Sequence, residues 1–173
     1  MLTALIVIAA LVAGLLAIAA SRPTRFRYER SIVVAAPPER VAPLVADFHR
    51  WKEWSPWEHL DPTLKRSYGG APSGQGATYA WEGNSKTGTG RMEITEASTA
   101  TIVIKLDFLK PFEAHNLARF TFVPEGGGTH VSWSMEGPSP FIARLMGIFM
   151  NMERMIGRSF EEGLAKLKAL AEA

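Results

Sequence analysis

Residues 47–62, DFHRWKEWSPWEHLDP, crowd three tryptophans, two histidines and a run of alternating charges into sixteen positions. Residues of these types can act as acid–base groups, stack on nucleic-acid bases, dip into a membrane, or cover a pocket. His49 and His59 flank the tryptophans, and a histidine at a cavity mouth can serve as a base. The other two histidines, His115 and His130, complete no HxH or HExxH spacing with them. No metal site is therefore expected. The chain has no cysteine, which excludes disulfides, thiolate nucleophiles and cysteine-based zinc sites.

Further along, no GxSxG nucleophile turn, phosphate loop or dinucleotide fingerprint is present. The glycines of Gly88-Thr89-Gly90 and of Gly69 to Gly76 fall between strand-like segments with no helix after them. Hairpin turns, which need positive φ, account for them. Asn116 is in phase with Ala114, Ala118, Phe120 and Phe122, and so is expected to face inward as a hydrogen-bonding group. His115 and Arg119 take the opposite phase, and Glu82, Asp107 and Glu136 alternate outward. No paired acid and base emerges, and no cofactor is implied.

Charge separates the remaining readings. The net charge is +2, but residues 22–30 hold four arginines against Glu29, so the remainder of the chain is net −1. A nucleic-acid surface needs a concentrated basic stripe on the folded domain, so that partner is not expected.

The elements that would position these residues follow from hydrophobic periodicity. Arg27–Ala35 alternates as a first strand, and Pro37-Pro38 opens a short helix over residues 39–46. Trp51 and Trp54 stand one helical turn apart in a second small helix, which Ser55-Pro56 ends. Six strands follow at about 64–68, 77–83, 90–96, 101–108, 112–123 and 129–136, with connections short enough for antiparallel hairpins. From Phe141 to Ala171, the recurrence of Leu145, Phe149, Met152, Ile156, Phe160, Leu164 and Leu167 predicts one long helix with an apolar stripe.

Before all of this, Leu2 to Ala20 carries no charge. As a helix it is about 28 Å long, the thickness of a bilayer core. A cleaved secretory signal is the alternative, because Ala17-Ile18-Ala19 has the small-x-small form of a cleavage site. No basic n-region precedes the run, and it exceeds the usual signal core, so an uncleaved anchor is expected. The arginines lie just C-terminal to the span, which places the globular domain in the cytoplasm by the positive-inside rule. The expected organisation is an anchor at 1–21, a basic collar at 22–26 and a globular domain at 27–173.

The stretches SIVVAAPPERVAPLVADFHRWKEWSPW, YGGAPSGQGATYAWEGN, GTGRMEI and GTHVSWSMEG, followed by the terminal helix, resemble the SRPBCC superfamily. Within it they look closest to the bacterial polyketide cyclase/dehydrase-like branch. The resemblance spans about residues 26–172. It implies an α+β helix-grip fold, in which a curved antiparallel sheet of about seven strands wraps a long C-terminal helix. Two small helices would follow the first strand.

It also implies a cavity between sheet and helix suited to a hydrophobic small molecule or lipid. Such a cavity would draw on Trp54, Trp57, Tyr79, Trp81, Met92, Ile104, Phe120, Trp133, Met152 and Phe160, with Asn116 as a polar contact. Core packing is the competing role for each. The expected function is a membrane-anchored binding or carrier domain. The alternatives are a cyclase/dehydratase- or hydrolase-type enzyme acting on an apolar carbonyl substrate, and an envelope or stress-response interaction protein with a vestigial cavity.

Overall fold

The structure is a computed structural model and describes residues 1–173. It opens with α1 (Leu2–Ser21), a helix long and apolar enough to cross a membrane, whose side chains are almost all exposed. Strand β1 (Arg25–Val34) follows, then α2 (Pro38–Ala46), a 3-10 turn at Phe48–Arg50, α3 (Trp51–Trp54) and a second 3-10 turn at Pro56–His59. Six further strands complete the sheet: β2 (Lys65–Gly70), β3 (Ala77–Glu82), β4 (Thr89–Ala97), β5 (Thr101–Lys110), β6 (Ala114–Glu125) and β7 (Gly128–Pro138). All pairings are antiparallel, in the order β1-β7-β6-β5-β4-β3-β2. This is the expected helix-grip architecture.

The terminal helix departs from expectation. It is two helices, α4 (Phe141–Phe149) and α5 (Met152–Glu172), with extended backbone at Met150. Asn151 caps the second: its Oδ1 accepts from Arg154 N at 2.9 Å, satisfying one of the donors a helix start leaves free. Only α5 carries the buried stripe of Phe160, Leu164 and Leu167; α4 buries none of its residues.

The core lies between the concave sheet face, α5 and the short helices. Trp51 and Trp54 donate their indole N–H groups to Val45 O and Leu44 O, at 2.9 and 3.0 Å. Both carbonyls belong to the last turn of α2, where helical partners run out. One short helix thus completes the hydrogen bonding of another while burying two large rings.

The close seating of α5 depends on Gly163. A Cβ there would lie 2.8 Å from Cζ3 of Trp133 and 3.1 Å from Cδ of Pro56. In an open helix, Gly→Ala gains about 1 kcal/mol. Here the overpacking cost of about 1–3 kcal/mol outweighs that gain. Gly163→Ala is therefore expected to lower stability by about 1 kcal/mol, read from the urea midpoint of the full chain in detergent. A rise in that midpoint would show that the ring and the proline yield freely.

Candidate functional site

Strand register decides which side chains share the concave face. One inward row runs Phe26, Gly137, Asn116, Leu106, Met92, Tyr79 and Tyr68 across all seven strands. A second row runs through Arg30, Trp133, Phe120 and Ile102. The two rows differ in how they are filled.

The second row is packed solid with aromatic rings. Trp133 stacks on Phe160 of α5 at 4.2 Å and on Phe120 at 4.8 Å. Trp54 meets Trp133 edge-on at 5.5 Å. Trp57, exposed to solvent, caps the pile from outside, edge-on to Trp133 at 5.4 Å and to Phe160 at 6.0 Å. The centre of the domain is therefore side chain rather than space, so any guest must sit nearer one end.

That end is where β1 begins and α5 starts. Phe26, Tyr28, Trp81, Leu106, Phe108 and Ile156 are all half-buried there, in contrast to the fully buried Ile94, Ile102 and Ile104 deeper in the sheet. Phe26 stacks on Tyr28 at 4.8 Å, and Trp81 meets Phe108 edge-on at 5.7 Å. The Trp81 ring lies across Gly90 on the neighbouring strand, where any Cβ would strike it. These half-buried apolar side chains of β1, β3 and β5, with Ile156 from the first turns of α5, make up the apolar end of the concave face, the cup.

One polar atom in the cup is unpartnered. Asn116 is buried, with 9 % of its surface exposed, and its side-chain carbonyl accepts no hydrogen bond. It rests over Gly137, beside the edge of Phe26. A buried polar group left in this state costs about 1–3 kcal/mol.

A second polar group borders the cup and is fully engaged. Tyr79 donates its hydroxyl to Glu58 Oε1 at 2.6 Å, while Arg66 reaches Glu58 Oε2 at 2.6 Å and the Glu58 carbonyl at 2.7 Å. Burial, and then the carboxylate beside it, push the Tyr79 hydroxyl well above its ordinary value, so it remains a donor. Asp61 pins the β3–β4 hairpin by accepting from Thr63, Asn84 N and Thr87. These bonds, the Thr63 hydroxyl first, draw the Asp61 carboxyl down to about 2.

Nine of the eleven expected site residues thus divide into three groups. Trp54, Phe120, Trp133 and Phe160 pack on one another; Ile104 and Met92 lie buried in the sheet; Trp81, Asn116 and Tyr79 line or border the cup. Met152, half-buried, begins α5 at the cup's edge, and Trp57 stands outside the pile. Sequence reasoning missed Glu58 and Asp61, both buried carboxylates in irregular backbone where no periodicity marks a face.

On the outer face, a groove of about 440 Å³ crosses β2–β5, lined by Ser67, Thr78, Arg91, Glu93, Lys105 and Asp107 among others. Asp107 is buried beneath its partners: Arg91 Nε at 3.0 Å, Lys105 Nζ at 3.7 Å and His115 Nδ1 at 2.8 Å. The groove is open and charged, which suits ion pairing rather than an apolar guest.

The His115–Asp107 pair makes stability depend on pH. Its bond to Asp107 holds His115 above its ordinary 6.5, and the same bond holds Asp107 below its ordinary 3.8. The histidine contribution is complete below 6.5 and fades as pH rises through the raised value; the aspartate contribution is complete above 3.8 and fades as pH falls through the lowered one. Urea midpoints measured against pH are expected to decline on the alkaline side in the native chain. His115→Gln should flatten that decline, and an unchanged slope would rule this pair out as its source.

Residues 25–172 match the model of a family described as polyketide cyclase/dehydrase and lipid transport. Among solved structures, protein CV1439 from Chromobacterium violaceum is 18% identical with a TM-score of 0.59, covering 88% of this chain and 99% of that one. The di-domain ARO/CYC BexL from the BE-7585A biosynthetic pathway is 19% identical with a TM-score of 0.63, over 90% of this chain and 53% of that one. The Aha1 dimer from Colwellia psychrerythraea is 13% identical with a TM-score of 0.59, over 85% and 96%. At such identities the likeness is one of fold. No match was found among curated proteins.

Proposed function

The chain belongs to the polyketide cyclase/dehydrase and lipid transport family, and from that premise we propose that it is a membrane-anchored carrier of an amphipathic hydrophobic molecule bearing a hydroxyl. The observation that carries this reading is the half-buried aromatic cup with the buried, unpartnered Asn116 carbonyl at its base. The cup accepts the apolar body of the guest, and Asn116 receives its single polar group. Burying apolar surface contributes about 25 cal/mol per Å², so affinity comes from the aromatic walls and orientation from the amide.

On this reading α1 is the anchor. It joins β1 through residues 22–24, at the end of the sheet where the cup lies. A molecule partitioned in the bilayer then has a short path into the protein. The arginines at 22–30 favour a cytoplasmic domain.

Binding is favoured over turnover by the engagement of the nearby polar groups. An acid and a base must converge within about 3 Å of the reacting atoms, and the Tyr79 hydroxyl and Glu58 carboxylate already hold each other and Arg66.

The test uses a brominated long-chain alcohol, a contact quencher of indole, added to the full chain in lipid nanodiscs. Saturable quenching that disappears in Trp81→Phe is the expected result. Quenching that grows with the bilayer concentration of the probe, without saturation and regardless of Trp81, would count against a site in the cup.

A further inference from the structure

We infer that α4 is a second membrane contact, an amphipathic helix lying in the headgroup–acyl boundary beside α1, where it seats the cup end of the domain against the bilayer. The inference rests on the reading of α1 as a membrane span.

The sequence of α4, FIARLMGIF, has a single charge. It buries no residue against the domain, and its large apolar side chains are open: Phe141 41 %, Ile142 57 %, Met146 44 % and Phe149 73 %, with Met150 at 45 % just beyond. Elsewhere on the globular part, exposed large apolar residues are scattered along strands and turns, with Met155 alone on α5. Singly they are ordinary, whereas a contiguous patch marks a surface that meets something apolar.

What α4 meets follows from its seat. It packs against α1. The Arg144 guanidinium donates to Ala20 O at 3.1 Å and to Arg22 O at 3.2 Å, the carbonyls at the point where the apolar run ends and the basic collar begins. Gly147 leaves room for Arg22, whose guanidinium nitrogen lies 3.1 Å from where a Cβ would stand. The depth of α4 is therefore fixed relative to α1. If α1 spans the bilayer, α4 lies at its surface, with its apolar residues level with the acyl boundary and Arg22, Arg25 and Arg144 level with the phosphates.

Held at the polar end of α1, this exposed apolar face is placed to enter the acyl boundary, where interfacial helices bury their apolar side about 5–10 Å deep. The collar arginines add about 1 kcal/mol each on an anionic surface. Phe112, 73 % exposed at the tip of the β5–β6 hairpin, stands at the same end of the sheet. The domain then cannot swing freely on its anchor, and the cup is held facing its source of guest.

The absence of cysteine makes the test direct. Single-cysteine variants Ile142→Cys, Phe149→Cys, Leu11→Cys and Glu125→Cys of the full chain are labelled with an environment-sensitive fluorophore. They are then reconstituted in vesicles of phosphatidylcholine and phosphatidylglycerol containing spin-labelled lipids. The expected result is that 142 and 149 are quenched most by lipids labelled near the headgroup, Leu11→Cys by lipids labelled near the chain end, and Glu125→Cys by neither. Labels at 142 and 149 that stay aqueous while position 11 is lipid-embedded overturn the role of α4 and leave the anchor standing. An aqueous label at position 11 as well removes the anchor and the inference together. Protection of 142 and 149 without lipid quenching also overturns it and assigns the face to a protein partner.

Discussion

Replacing Trp133 with alanine is expected to lower the free energy of unfolding by about 3–5 kcal/mol, the range for removing a buried tryptophan from a packed core. The ring is the centre of the aromatic pile, with Phe160 at 4.2 Å, Phe120 at 4.8 Å, Trp57 at 5.4 Å and Trp54 at 5.5 Å. None of these can move far to close the gap, because Trp54 is tied to Leu44 O and Phe160 sits on a helix held close by Gly163. A domain of this size has about 5–15 kcal/mol of stability in total, so a fifth or more would be lost. Urea unfolding of the full chain in detergent measures it. Indole, which has the shape of the missing ring, should restore part of the loss by filling a dry apolar cavity. A loss under about 1 kcal/mol would mean that the centre collapses readily and is no rigid floor for the cup.

The second large effect runs the other way. Asn116→Leu keeps the branched shape of the side chain while removing the unpartnered carbonyl. Stability is expected to rise by about 1–2 kcal/mol, because the cost of the buried unpaired group disappears. Affinity for a long-chain alcohol should fall by about tenfold, the equivalent of about 1.4 kcal/mol. Its methyl ether, which has no donor, should bind both proteins equally. The same urea assay and the brominated probe measure the two changes. A variant that is less stable and binds as before would show Asn116 to be a structural residue. A gain in stability matched by a loss of binding is the mark of a group retained for its guest.

Several of these features were legible in the chain before any coordinate. Strict alternation put Asn116 inward and His115 and Asp107 outward, because a strand reverses its side chains at every residue. Short breakers between apolar runs gave the antiparallel sheet, and the spacing of Trp51 and Trp54 in DFHRWKEWSPWEHLDP gave the second small helix. The tryptophans of this stretch close the domain, two from inside and one from outside.

What was not legible has physical reasons. The break at Met150-Asn151 hid behind a stripe that continues at spacings of three and four from Leu145 to Met152. Apolar periodicity reads the same whether a helix faces a core or a membrane surface, so α4 looked like the start of α5. The burial of Asp107 is invisible to alternation, since Arg91 and His115 on the neighbouring strands and Lys105 two residues along its own strand cover it. The extent of the cup depends on how far the rings at Trp133, Phe120 and Phe160 interlock, a property of three elements distant in sequence.

The central claim is that the half-buried cup holds a hydrophobic guest taken from the membrane. Native mass spectrometry of the full chain, released gently from its own membranes, tests it most directly. The expected spectrum contains a population heavier by the mass of one hydroxyl-bearing lipid-like molecule, reduced in Trp81→Ala and in Asn116→Leu while both variants remain folded. A chain that flies only at its own mass, or one whose adducts are unspecific and unchanged by either substitution, would contradict the account.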